Sequence, residues 1–120
     1  MTHPIYLFRH GETVWNAERR AQGRLDSPLT AAGRAQARAM GEVLSVELQQ
    51  AGYEASEVAV RASPLGRVRE TLTIAAAAAG LDYGEHSFDD RLREMSWGEW
   101  DGLIGAEIEG RWPGAMAAIR

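Results

Sequence analysis

The sequence contains no cysteine, which excludes a disulfide framework, a thiolate nucleophile and a thiolate metal site. It has no surplus of positive charge either: 17 Asp and Glu against 13 basic residues leave a net charge of −4. That balance argues against bulk binding to nucleic acid or to an anionic lipid surface. No basic segment followed by an apolar core opens the chain, and no apolar run reaches bilayer-spanning length. The expectation is therefore a cytoplasmic, redox-indifferent protein with no nucleic-acid or membrane partner. What is present is ordinary for a globular domain: 120 residues, 45% hydrophobic and 25% charged. A chain of this size buries roughly 65% of its unfolded surface, enough for one core and too little for two, so residues 1–120 are read as a single domain.

The hydrophobic pattern alternates between short apolar runs and helical stripes. Ile5 to Phe8 is apolar and stops at the polar cluster Arg9-His10-Gly11-Glu12-Thr13, which reads as a buried strand feeding a loop. Residues 14–29 read as loop with one helical turn. Thr30 is a suitable N-cap for a long helix whose apolar face is Ala37, Met40, Leu44, Leu48 and Ala51, ended by Gly52. Val58, Val60 and Ala62 alternate as a second strand. Ser63-Pro64 then reads as an N-cap with proline at the first helical position. A second helix follows with the stripe Leu65, Val68, Leu72, Ala75, Ala76 and Ala79, closed by Gly80. Tyr83 to Phe88 is a weak third strand, and a short helix is expected near Leu103 to Arg111. Strand, helix, strand, helix, strand in this order predicts right-handed crossovers and an α/β/α three-layer fold with a mainly parallel sheet.

Transfer of a phosphoryl group needs a nucleophile, accurate positioning and positive donors for the equatorial oxygens. Guanidinium groups suit the last task because their forked donors match phosphate oxygens in pairs. A neutral imidazole can be the nucleophile when its other nitrogen donates to a fixed acceptor. In an open parallel sheet such a site belongs where strands end and helices begin. Arg9-His10-Gly11 ends the first strand, and Ser63-Pro64-Leu65-Gly66-Arg67 ends the second, with Arg67 in the first turns of a helix whose amides favour an anion.

The segment Leu7-Phe8-Arg9-His10-Gly11-Glu12-Thr13-Val14-Trp15-Asn16 resembles the signature loop of the histidine-phosphatase (phosphoglycerate-mutase-like) superfamily. The resemblance continues through Gln22-Gly23, through Pro28-Leu29-Thr30-Ala31-Ala32-Gly33 and through Ser63 to Arg67, and ends in the stretch Leu92 to Gly102. It implies that His10 is transiently phosphorylated, that Arg9 and Arg67 clamp the phosphate, and that Glu94 protonates the leaving oxygen. It further implies that Asn16, Gln22 and Gly23 line the substrate pocket. General-acid help of the kind given to Glu94 is worth on the order of 10²–10⁴ in rate. No metal and no cofactor is implied, and the partner is a small phosphorylated metabolite. The block Gly98-Glu99-Trp100-Asp101-Gly102 is similar to that of the family's broad phosphatases, so hydrolysis is preferred to mutase-type transfer.

Each residue also has a plainer reading. His3 and His86 match no motif position. Arg19, Arg20 and Arg24 are read as a solvated loop face or as a funnel for an anionic substrate. Trp97, Trp100 and Trp112 are read as packing, and Asp89 and Asp90 as turn residues and not metal ligands. One departure stands out: nothing matches the family's second catalytic histidine, nor the central strand that carries it. The C-terminal part of the family fold is thus expected to be missing, leaving the domain incomplete at its C-terminus. The facing strand edges could pair directly, be filled by another chain, or belong to a longer product, and the last is preferred. An incomplete sheet also favours a homo-oligomer. A catalytically silent remnant that binds phosphate or a partner is the rival from another class.

Overall fold

In the computed structural model, residues 4–93, 99 and 101–115 are described. Four α-helices organise them: α1 (Val14–Ala17), α2 (Ala31–Ala51), α3 (Gly66–Ala79) and α4 (Gly105–Arg111). Short 3-10 turns lie at Ala55–Glu57, Glu85–Ser87 and Asp90–Leu92.

The long helix forms as its sequence dictates. Thr30 is extended, and its hydroxyl accepts from the Gly33 amide at 3.0 Å; Gly52 closes the other end in the left-handed region with φ 79°. The buried stripe is Gly33, Ala37, Gly41, Leu44 and Leu48. Met40 and Ala51, expected on that face, are half-buried and exposed. The stripe is rotated toward the glycines because α2 packs closely on α3: a Cβ at Gly41 would strike the Ala75 carbonyl and sit 2.7 Å from the Ala78 Cβ.

Helix α3 begins later than Ser63-Pro64 predicts. Its N-cap is Leu65, and the Ser63 hydroxyl accepts from the Leu65 amide at 3.3 Å in the turn before it. The carboxylate of Asp26 replaces a capping side chain, accepting from the Gly66 amide and from the Arg67 amide at 3.1 Å. Negative charge at the positive end of the helix is favourable, and here the anion is internal. Of the apolar stripe expected on α3, Leu65 and Ala76 are buried while Val68, Leu72, Ala75 and Ala79 are half-buried. The buried position between them is taken by Thr71.

The expected strands are represented by extended chain and isolated bridges. Ile5 and Leu7 are each 91% exposed and Tyr6 is half-buried, so the segment read as a buried strand is not enclosed by the described residues. Without neighbours on both faces, its apolar side chains have no core to enter. The second and third segments do meet in parallel, as expected, but only at Ala62 and Phe88. The Ala62 amide donates to Ser87 and its carbonyl accepts from Asp89, both at 2.9 Å. The rest of the third segment is a 3-10 turn at Glu85–Ser87. Antiparallel bridges join Thr13 to Leu29 and Arg20 to Ile104. Arg20 reinforces the second bridge, donating to the Gly102 carbonyl, to Glu107 at 3.0 Å and to Glu18 at 3.1 Å. One member of the basic cluster is therefore a tie to α4, and Arg24 is exposed.

Candidate active site

The loop that follows Phe8 is pinned from both helices. Gly11 is buried, and a Cβ there would strike the Gly33 carbonyl at the start of α2, so this close crossing requires glycine. The Gly11 amide donates to the Thr71 hydroxyl of α3 at 3.0 Å, and that hydroxyl donates to the Arg67 carbonyl at 2.7 Å. The Glu12 amide donates to Gln36 Oε1 of α2 at 2.9 Å. Downstream, Thr13 is fully buried and begins α1 with reciprocal capping bonds to Asn16, both at 3.1 Å.

This framework holds His10 half-buried with Nδ1 2.7 Å from the Gly11 carbonyl oxygen. A carbonyl can only accept, so Nδ1 carries the proton in the neutral ring and the lone pair falls on Nε2. His10 lines an open cleft of about 350 Å³ together with Arg9, Glu12, Asn16 and Gln36. Arg9 is exposed there. The Glu12 carboxylate is held at the cleft by the Thr30 hydroxyl, which donates to it at 2.8 Å.

The other residues singled out from the sequence are distributed differently. Arg67 is 2% exposed and turned into the preceding loop, donating to the Gly23 carbonyl at 2.6 Å and the Leu25 carbonyl at 2.7 Å, with Asp26 at 3.4 Å. Gly23 is thus an acceptor for Arg67, with its own φ at 54°. Gln22 is buried and accepts from Ser27 at 2.9 Å. Its neighbour Trp15 donates its amide to the same Ser27 hydroxyl at 3.1 Å. Arg9, His10 and Asn16 share one cleft, while Gln22, Gly23 and Arg67 form a buried brace beside it. Glu94 lies outside the described residues, as do Trp97 and Trp100. Among the described residues, no group of three or more His, Asp and Glu side chains converges as a metal site. No described helix is long and apolar enough to cross a membrane.

Glu12, Gln36, Thr71 and Asp26 were not picked out by their sequence positions. Gly33 inside the first turn of a helix was the available sign of a close backbone crossing near Gln36, and a lone threonine on the apolar face of α3 was the sign at Thr71.

Comparison with known proteins bears on the family and the fold. The family model of the histidine phosphatase superfamily (branch 1) matches residues 5–120. A probable phosphoglycerate mutase GpmB of Salmonella choleraesuis is 47% identical over 94 residues, covering 78% of this chain and 39% of the relative. The corresponding protein of Citrobacter koseri is 48% identical over the same share of each. Among solved structures, a mycobacterial glucosyl-3-phosphoglycerate phosphatase complexed with VO3 superposes with a TM-score of 0.74 at 36% identity, over 91% of this chain and 47% of that one. Bacillus stearothermophilus YhfR does so with a TM-score of 0.70 at 39% identity, over 91% and 48%. The fold is therefore α/β, and the chain spans 39% of the length of the curated relatives it matches.

Proposed function

From the premise that this chain belongs to the histidine phosphatase superfamily, we propose that it carries the phosphoryl-accepting part of a phosphotransfer enzyme, with His10 as the acceptor and a small phosphorylated metabolite as the donor. The observation that carries the reading is the 2.7 Å contact between His10 Nδ1 and the Gly11 carbonyl, in a cleft that also holds Arg9 and Asn16. Nε2 attacks phosphorus in line as the bond to the leaving oxygen breaks. Arg9 pairs with the equatorial oxygens, and Glu94 gives its proton to the departing alkoxide. Water then cleaves the P–N bond, releasing inorganic phosphate and restoring the neutral ring. Arg67 serves this site as a clamp if its fork leaves the loop carbonyls. In the described conformation it braces the Gln22–Asp26 loop instead.

Hydrolysis is the leading outcome, supported by the phosphatase-like block Gly98 to Gly102 and by the phosphatase among the structural neighbours. Mutase-type transfer is the second reading, favoured by the name of the curated relatives at 47% identity. The two separate by product. With p-nitrophenyl phosphate at mildly acidic pH, hydrolysis gives nitrophenol and inorganic phosphate in equal amounts. With a phosphoglycerate, transfer gives an isomeric monophosphate without net phosphate release. His10→Ala should abolish either activity and the acid-labile phosphoenzyme. A folded wild-type protein that neither turns over nor takes label would leave the silent phosphate-binding reading in place.

A further inference from the structure

The geometry points to Gln36 as a positioning residue that fixes which imidazole nitrogen of His10 carries the proton. The inference rests on the reading of His10 as phosphoryl acceptor. It follows from one peptide unit that does two things at once. The carbonyl of Gly11 and the amide of Glu12 belong to the same plane. The carbonyl accepts from His10 Nδ1 at 2.7 Å, and the amide donates to Gln36 Oε1 at 2.9 Å.

A peptide plane can rotate about the line joining its two Cα atoms, and that rotation is cheap beside glycine, which tolerates the backbone angles on either side of the flip. A flip at Gly11–Glu12 would turn the carbonyl away from the imidazole and offer it an N–H instead. His10 would then hold its proton on Nε2 and lose the lone pair it needs there. Gln36 opposes the flip because the amide would leave its acceptor in the same motion. The two bonds also polarise one another through the shared amide, so each is stronger while the other is made. The preceding plane is held separately, by the Gly11 amide on Thr71. Gln36 sits on α2, whose long packed body gives the acceptor a rigid base.

Nuclear magnetic resonance of protein labelled with 15N-histidine reads the tautomer directly, with His10 assigned by the signal lost in His10→Gln. The wild type is expected to show the Nδ1–H form. Gln36→Met, of similar length but without an acceptor, should shift the tautomer ratio toward Nε2–H by about fivefold, the effect of losing one hydrogen bond of ordinary strength. Gln36→Glu keeps an acceptor at the same reach and should retain the wild-type pattern. Phosphoenzyme formation in Gln36→Met should slow by about fivefold while KM for p-nitrophenyl phosphate stays within about twofold. Gln36 is exposed, so these changes open no core; melting and far-ultraviolet circular dichroism confirm folding. A folded Gln36→Met with the wild-type tautomer pattern would overturn the proposal. A wild type that forms no phosphoenzyme would remove the proposed reaction, and the tautomer comparison would still decide the role of Gln36.

Discussion

Arg67 ties the loop before α2 to the first turn of α3. Its guanidinium is almost fully buried, and both terminal nitrogens donate to loop carbonyls, while Nε has no partner among the described residues. An ammonium on a flexible stem cannot span the Gly23 and Leu25 carbonyls from one plane. Arg67→Lys should therefore cost about 2–3 kcal/mol in urea unfolding, the loss of charge-assisted bonds with an acceptor left unpaired. An unchanged midpoint would mean that the brace contributes nothing. Asp89 offers a prediction in pH. The Arg91 guanidinium, aided by the Arg91 amide, holds its carboxyl at about 2, below the ordinary 3.8. A carboxyl lowered on folding stabilises fully above 3.8, and that contribution fades as pH falls toward about 2. Asp89→Asn should lower the melting temperature at pH 6 and leave it unchanged near pH 1.5, so the wild-type and variant curves converge on the acid side.

At the level of elements, the α2–α3 pair is the part most legible in the sequence. Thr30 and Gly52 bracket α2 at both ends, and of the apolar spacing Ala37, Leu44 and Leu48 lie on its buried face while Ala51 is exposed. The displacement from Met40 to Gly41 was not legible, because spacing reports periodicity and not how near the next helix comes. The start of α3 departs from its local sequence for a related reason. Ser63-Pro64 has the local chemistry of a helix start, but the capping carboxylate comes from Asp26, 40 positions before Gly66. The crossing itself is testable. Gly41→Ala gains up to about 1 kcal/mol of helix propensity, yet its methyl meets the Ala75 carbonyl and the Ala78 methyl, and overpacking of that kind costs about 1–3 kcal/mol. The net expectation is a lower urea midpoint, whereas Gly80→Asn, at a helix end with φ 71° and open space around it, should be nearly neutral. The site shows the same division. His10, Arg9 and Asn16 could be found because they sit together in sequence, while Gln36 and Thr71 reach the loop from elements whose packing no linear pattern records.

Across the whole molecule, the radius of gyration is 16.9 Å and the longest dimension 54 Å, against about 14 Å expected for the radius of a compact chain of this length. The helical pair is consolidated, but the extended segment that delivers His10 is not: Ile5 and Leu7 are 91% exposed. Amide exchange should accordingly be slow at Leu44, Leu48 and Ala76 and near the unstructured rate at Ile5 to Phe8, with Gly11 protected by its bond to Thr71. Protection at residues 5–8 equal to that of α2 would mean that the strand is paired in solution. The family's sheet was legible as strand–helix alternation, and the likeness to solved phosphatases bears out the α/β class. What the alternation could not convey is that each strand forms only when neighbours cover it. The proposed chemistry depends on a smaller unit, the loop clamped between α2 and α3, and on one atom in it, Nε2 of His10. Quenching the protein in alkali after exposure to p-nitrophenyl phosphate, then mapping the labelled peptide and its phosphohistidine isomer, tests that claim most directly. Phosphate on Nε2 of His10 is the predicted result; phosphate on Nδ1, on another residue, or on none would contradict it.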